Sequence, residues 1–327
     1  MNLLTSRINR RTIGGMAVGA AATASMARLA SAQDATPETV EEEAGIPTLA
    51  ELEGVTQVSV VANNNSFAIY QPGNLQPGWF VFSLENGSES DASFNLAQLP
   101  EGVSVSDFST FLFQLNSGQL SSLPEWLLGV TFAGGTNAPV GGTSTAMLHL
   151  GVGDWVAFSN LAASTQSATT IRVVEPEVEE VEEATAEATP EIDAPEEAPA
   201  GVVAPEGFGS TFTVSVADGA INADSSPAAG LNTIGVRNDA SLPANFVLLH
   251  SAEAVDDAAA ADLAASYLAG EETTATLAGG MGVLSNNAFG YVELNAEAGS
   301  YVGFSSVVNA SGGTQLEDGA VIVFNVG

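Results

Sequence analysis

Cysteine is absent from all 327 residues, lysine does not occur, and histidine occurs only twice. Without cysteine no disulfide can hold the fold, so each folded region needs an apolar core of its own. The same absence removes thiol nucleophiles, iron–sulfur clusters and the usual structural zinc sites. Basic charge is nearly as scarce. Of six arginines, Arg7, Arg10, Arg11 and Arg28 lie at the extreme N-terminus, and only Arg172 and Arg237 follow. All 39 carboxylates come after residue 32, so beyond that point two arginines leave a formal charge of −37. Nucleic acid is excluded as a partner, because phosphate binding needs clustered Lys and Arg to displace counterions. Anionic membrane surfaces are disfavoured for the same reason. Beyond the N-terminal segment, no run is long and apolar enough to span a bilayer.

The N-terminus carries its own signals. Arg7, Arg10 and Arg11 precede a run over 13–27 made mostly of Ala and Gly, and Ala30-Ser31-Ala32 supplies a small-x-small cleavage site. This is the plan of a signal peptide over 1–32, cleaved after Ala32. The paired arginines of Asn9-Arg10-Arg11-Thr12-Ile13 resemble a twin-arginine signal. A membrane anchor needs roughly 20 apolar residues, and this run offers about 15 weakly apolar ones. The mature chain is therefore expected to be exported: extracellular, periplasmic or at the cell surface. Its partners are unknown, a cell-surface or extracellular one being possible.

Four regions follow: an acidic leader (33–46), a first domain (47–174), a linker (175–205) rich in Glu, Ala, Thr and Pro, and a second domain (206–327). The linker lacks the apolar residues that offset ordering entropy, so it reads as a disordered, extended tether. At roughly 120 residues each, both domains are long enough to build a core. On this reading they unfold in two separate cooperative transitions. Whether they dock stays open.

The two domains share a pattern. Residues 78–115 lie without a gap on 230–267: Gly78 on Gly230, Phe82 on Ile234, Asn86 on Asn238, Phe94 on Phe246 and Leu96 on Leu248. Alternating apolar residues predict strands at 56–62, 66–71, 80–84, 93–98, 144–150, 154–160 and 168–174. In the second domain they predict strands at 212–217, 233–237, 245–249, 288–294, 300–306 and 320–326. Gly134-Gly135 reads as a turn, and Gly279-Gly280 as the opening of a strand or turn. One helix interrupts each domain. Phe108, Phe111, Leu112 and Leu115 recur at helical spacing, and the same shift gives Ala260, Leu263, Ala264 and Tyr267, with Asp256 and Asp257 in the first turn. Many short strands around one helix predict an all-β pair of sandwiches.

These residues resemble the cupredoxin-like fold. The first domain offers Pro77-Gly78, Asn86-Gly87, Phe94-x-Leu96 and Gly153-Asp154-Trp155-Val156-Ala157-Phe158. The second offers Asn238, Phe246-x-Leu248, Gly299-Ser300-Tyr301-Val302-Gly303-Phe304 and Val323-Phe324-Asn325-Val326. The resemblance implies two cupredoxin-like Greek-key β-sandwich domains, each with a short helix, joined by the acidic linker. It also implies copper held by two His, one Cys and an axial Met. The first His would fall near Ser93 and Asn245, and the Cys at Ser159 and Ser305; residues 166–171 and 312–321 hold neither His nor Met. A serine hydroxyl keeps its proton at neutral pH and does not replace a thiolate. No metal and no cofactor is expected in either copy.

Other chemistries lack their motifs. His149 and His250 do not correspond between domains; His149 should face outward from its strand, and His250 end the strand over 246–249. No Gly-x-Ser-x-Gly elbow is present. Gly279-Gly280 and Gly312-Gly313 do not open helices, so no phosphate cradle is indicated. Adjacent acids such as Asp256-Asp257 and Glu271-Glu272 read as solvated, and no Asp-x-Asp-x-Asp-Gly calcium loop occurs. Glycosylation sequons start at Asn64, Asn86 and Asn309. No catalytic, cofactor or metal residue is assigned, and the chain is not read as an enzyme. Two functions remain: an exported non-catalytic binding or structural protein with two metal-free cupredoxin-like domains, or an exported redox or metal-handling protein with a non-standard site of His and carboxylates. In the first, Trp79, Trp126 and Trp155 either line a binding face or fill the core.

Overall fold

The computed structural model describes residues 47–64, 66–117, 119, 122–159, 168–176, 204–205, 208–309 and 313–327. The expected signal (1–32), the leader (33–46) and most of the linker lie outside the described residues, as do Asn160 at the end of its expected strand, residues 166–167 of the stretch 166–171, and Gly312. The first half carries β1 (Thr56–Asn63), β2 (Ser66–Tyr70), β3 (Gly78–Asn86), β4 (Ala92–Gln98), α1 (Val105–Asn116), β5 (Thr131–Ala138), β6 (Thr143–Leu150), β7 (Gly153–Phe158) and β8 (Thr169–Val173). The second carries β9 (Phe212–Ala217), β10 (Ala220–Ala223), β11 (Gly230–Asn238), β12 (Ala244–Ser251), α2 (Asp257–Leu268), β13 (Ala275–Leu284), β14 (Phe289–Ala296), β15 (Gly299–Phe304) and β16 (Val321–Val326). Among the described residues the chain is all-β, with one α-helix in each half.

The strands form two eight-stranded sheets, ordered β10-β9-β11-β14-β6-β3-β1-β2 and β16-β15-β12-β13-β5-β4-β7-β8. Each order reads the same from either end once the halves are exchanged. The halves meet where β14 pairs β6, with Tyr291 opposite Met147, and where β13 pairs β5, with Met281 opposite Thr136 and Leu284 opposite Ala133. Side chains reinforce this seam. Val283 N donates to Asn95 Oδ1 at 2.8 Å, Phe132 N to Ser285 Oγ at 2.7 Å, and Ser285 N to the Phe132 carbonyl at 2.9 Å. One apolar core runs through both halves, with Phe82, Phe94 and Leu148 from the first in the same cluster as Phe246, Met281 and Val292 from the second. Two separately unfolding modules do not follow from this architecture. Breaking either half exposes the backbone edges and core that the other half covers, so one cooperative unit is the physical expectation.

The seam also corrects the reading of Gly134-Gly135 as a turn. Both lie inside β5, and Gly279-Gly280 lie inside β13. A Cβ on Gly135 would sit 1.7 Å from the Phe94 carbonyl oxygen, and one on Gly280 2.0 Å from that of Phe246. At each place the strand runs against its neighbour's backbone next to a register shift, which lies beside Gly134 and Gly279, and only glycine fits. β5, β13 and the short β10 were absent from the expected strands: the paired glycines of β5 and β13 read as turn or strand-opening chemistry, and the four residues of β10 carry too brief an alternation to be read.

The helices sit where periodicity placed them, 152 residues apart. In α1, Ser104 caps the N-terminus by accepting Asp107 N at 3.1 Å, while Phe108 and Phe111 are buried on a cluster with Phe132, Phe158 and Val283. In α2 the cap is Asp256, which accepts Ala259 N at 2.9 Å and so stands just before the first turn rather than in it. Ala260 and Ala264 pack there on Leu249, Val302 and Phe304. A capping carboxylate or hydroxyl at these positions satisfies an otherwise orphaned N–H, worth about 1 kcal/mol.

Candidate functional site

The positions that the resemblance assigned to copper ligands do come together. Ser93 on β4 and Ser159 just after β7 are buried, with their hydroxyls 2.8 Å apart. In the second half Asn245 on β12 meets Ser305 just after β15. Ser305 Oγ lies 3.1 Å from Asn245 Oδ1 and 2.7 Å from Gln315 Oε1, and Ser306 N donates to Asn245 Oδ1 at 2.8 Å. Gln315 in turn donates Nε2 to the Pro243 carbonyl at 3.2 Å. Among the described residues, Asn137 Nδ2 is the buried side-chain nitrogen or oxygen without a partner, and Asn137 stands opposite Ser93 in the β4–β5 register.

The residues singled out for other chemistry are dispersed. His149 faces outward from β6, as expected, but is half-buried: its ring meets Trp79 edge-on at 5.5 Å, and desolvation holds its pKa below the usual histidine range. His250 is the last residue but one of β12, near the end of the strand as expected, its ring tilted against Tyr301 at 4.8 Å, with Nε2 3.1 Å from the Ala298 carbonyl. The two histidines belong to different sheets. Among the described residues no group of three or more His, Cys, Asp and Glu side chains is placed to hold a metal ion. Asp256, Asp257, Glu271 and Glu272 are exposed. Of the sequon asparagines only Asn64 is exposed; Asn86 and Asn309 are buried, with their amides donating to the protein. Trp155 is core, and its Nε1 donates to the Gly151 carbonyl at 3.0 Å. Trp126 packs on Phe111 at 5.5 Å, and Trp79 lies on the outer face beside Tyr291.

No protein-family model and no curated protein matches the chain. Among solved structures it is similar to auracyanin A, a "blue" copper protein from Chloroflexus aurantiacus. That match has 17% identity over 35% of this chain and 98% of that one, with a TM-score of 0.25. A reduced auracyanin from Roseiflexus castenholzii matches at 14% identity over 36% and 99%, with a TM-score of 0.26. A multicopper oxidase matches at 10% identity over 83% of this chain and 88% of that one, with a TM-score of 0.21.

Copper is the metal that the fold resemblance implies, and the residues at these positions do not fit it. Copper in this setting needs imidazole and thiolate donors. Here the donors are neutral hydroxyls and amides that already serve one another. The unpartnered Asn137 amide nitrogen is a hydrogen-bond donor, with no lone pair to offer a metal.

Two features were not singled out as sites from sequence. Asn86 and Asn238 are buried staples. Asn86 Nδ2 donates to the Ala138 and Ser90 carbonyls at 3.0 and 2.9 Å, and its Oδ1 accepts Ser88 N at 2.9 Å. Asn238 repeats this with Leu284, Leu242 and Ala240, each at 2.9 Å. Their identity across the 152-residue shift was the available signal. The second feature is a cavity of about 490 Å³ at the seam, between α1 and the segment Glu125–Gly129 on one side and residues 241–243, 283–286 and 306–308 on the other. Its walls include Phe108, Leu112, Leu115 and Phe132 from the first half and Leu242 and Val283 from the second. No local pattern reveals it, because its walls are far apart in sequence.

Proposed function

We propose that this is an exported, non-catalytic binding or structural protein, with two metal-free cupredoxin-like halves fused into one body. The observation that carries the reading is the pair of buried networks, Ser93–Ser159 and Asn245–Ser305–Gln315, at the places where the resemblance calls for His and Cys. Losing a thiolate in one half leaves room for an active partner; replacing it in both leaves none. Export rests on Arg10-Arg11, the Ala/Gly run and the small residues ending at Ala32. The charge of the mature chain keeps nucleic acid off the list of partners. Among the described residues no helix is long and apolar enough to cross a membrane.

Metal analysis of protein purified from its native export compartment tests the reading. Colourless protein without stoichiometric copper is expected. Copper at one or more equivalents per chain, with a visible charge-transfer band, refutes it.

A further inference from the structure

We infer that the cavity at the seam is a binding site for one uncharged, largely hydrocarbon small molecule with a hydrogen-bond-accepting end. The inference rests on the binding-protein reading above and supplies its ligand class. At about 490 Å³ the cavity falls within the roughly 300–1,000 Å³ common for small-molecule sites. Among the described residues, none that lines it carries a charge. An anionic or cationic ligand would lose its hydration there without a counter-charge, a penalty of several kcal/mol or more. Apolar surface continues to the mouth, where Leu123 is 44% and Leu128 83% exposed.

Polar groups are few. Ser285 Oγ accepts Phe132 N at 2.7 Å and Ser306 Oγ accepts Asn245 Nδ2 at 2.9 Å. Each hydroxyl thus has one lone pair engaged and a proton left to donate, which suits a carbonyl, ether or hydroxyl oxygen on the ligand.

The corresponding place on the other side of the molecule supplies the contrast. The position 152 residues after Leu115 is Tyr267, and the position 152 before Pro243 is Asp91. Tyr267 donates its hydroxyl to Asp91 Oδ2 at 2.7 Å, bridging α2 to the first half. At the cavity the same two positions are Leu115 and Pro243, which cannot make that bond, and they stand as walls of an open space. An apolar cleft left open where its counterpart is bridged is a built feature rather than a by-product of joining two similar halves.

The test uses the full mature chain and N-phenyl-1-naphthylamine, an uncharged fluorophore whose emission rises in apolar surroundings. Saturable one-to-one binding is expected. Leu128→Glu should weaken it by roughly tenfold or more by placing a carboxylate at the mouth. The double variant Leu115→Tyr/Pro243→Asp should abolish it by building the second bridge. Circular dichroism and thermal unfolding establish that each variant is folded; Leu128 is a surface position, so that variant carries the test if the double variant does not fold. Absence of saturable binding by the parent overturns the inference, as does undiminished binding by folded variants. Equal affinity for the anionic 8-anilinonaphthalene-1-sulfonate does the same. Metal content is unaffected by any of these outcomes, so the metal-free reading stands or falls separately.

Discussion

All three tryptophans, Trp79, Trp126 and Trp155, lie in the first half; Trp126 and Trp155 pack within it, while Trp79 stands beside Tyr291 of the second half. Phe324 lies in β16, the strand at the far edge of its sheet, and is 3% exposed with its ring 5.7 Å from Phe212. Phe324→Ala removes a buried aromatic from the second half, at a cost of about 3–5 kcal/mol. If the continuous sheets and core make one cooperative unit, that loss is shared by every residue in it. For a unit of this size 1 kcal/mol shifts Tm by about 2–4 °C, so the tryptophan transition should fall by about 6–20 °C. The far-UV circular dichroism transition should move with it and remain single. A tryptophan transition that stays at the parent temperature while the dichroism splits in two would refute the coupling, and with it the claim that the β13–β5 and β14–β6 pairings bind the halves thermodynamically.

Three further outcomes follow from the same geometry. Gly280→Ala should destabilise by several kcal/mol or prevent folding, because the new Cβ meets the Phe246 carbonyl and the residue sits at φ +125°; soluble expression and a denaturation midpoint decide it. Asn238→Ala and Asn86→Ala should each cost about 2–4 kcal/mol in urea unfolding, since each leaves buried backbone carbonyls without a donor. Glu293 is half-buried, accepts Leu49 N at 2.5 Å, and has its carboxyl pushed above the usual range chiefly by desolvation. A raised folded-state pKa stabilises the fold fully below the ordinary glutamate value, and that contribution is lost as pH climbs through the raised one. Glu293→Gln should therefore gain stability relative to the parent between about pH 4 and pH 7, measured as denaturant midpoints. A constant difference across that range would sink the assignment.

Much of each half was legible from residues alone. The spacing of Phe108, Phe111, Leu112 and Leu115 gave α1, and the 152-residue shift gave α2, because a helical face repeats within a dozen residues. Short alternations placed most strands within a residue or two. The pairs Ser93–Ser159 and Asn245–Ser305 were foreseen as positions on a resemblance, and their contact is a fact of the fold. Gly134-Gly135 misled, since paired glycines carry the local chemistry of a turn while their reason here is a carbonyl on a neighbouring strand.

The sequence by itself determined the charge that excludes nucleic acid, the absence of thiolate chemistry, the two similar halves and most of their elements, β5, β10 and β13 excepted. These are set by composition or by periodicities a few residues long. Only the tertiary structure decided that the halves share two sheets and one core, and that an apolar cavity opens on one side of the seam while Tyr267 bridges to Asp91 on the other. The pairings responsible join residues about 145 positions apart. Backbone N–H and C=O groups are the same at every residue, so nothing in the local sequence announces which strand edge will meet which.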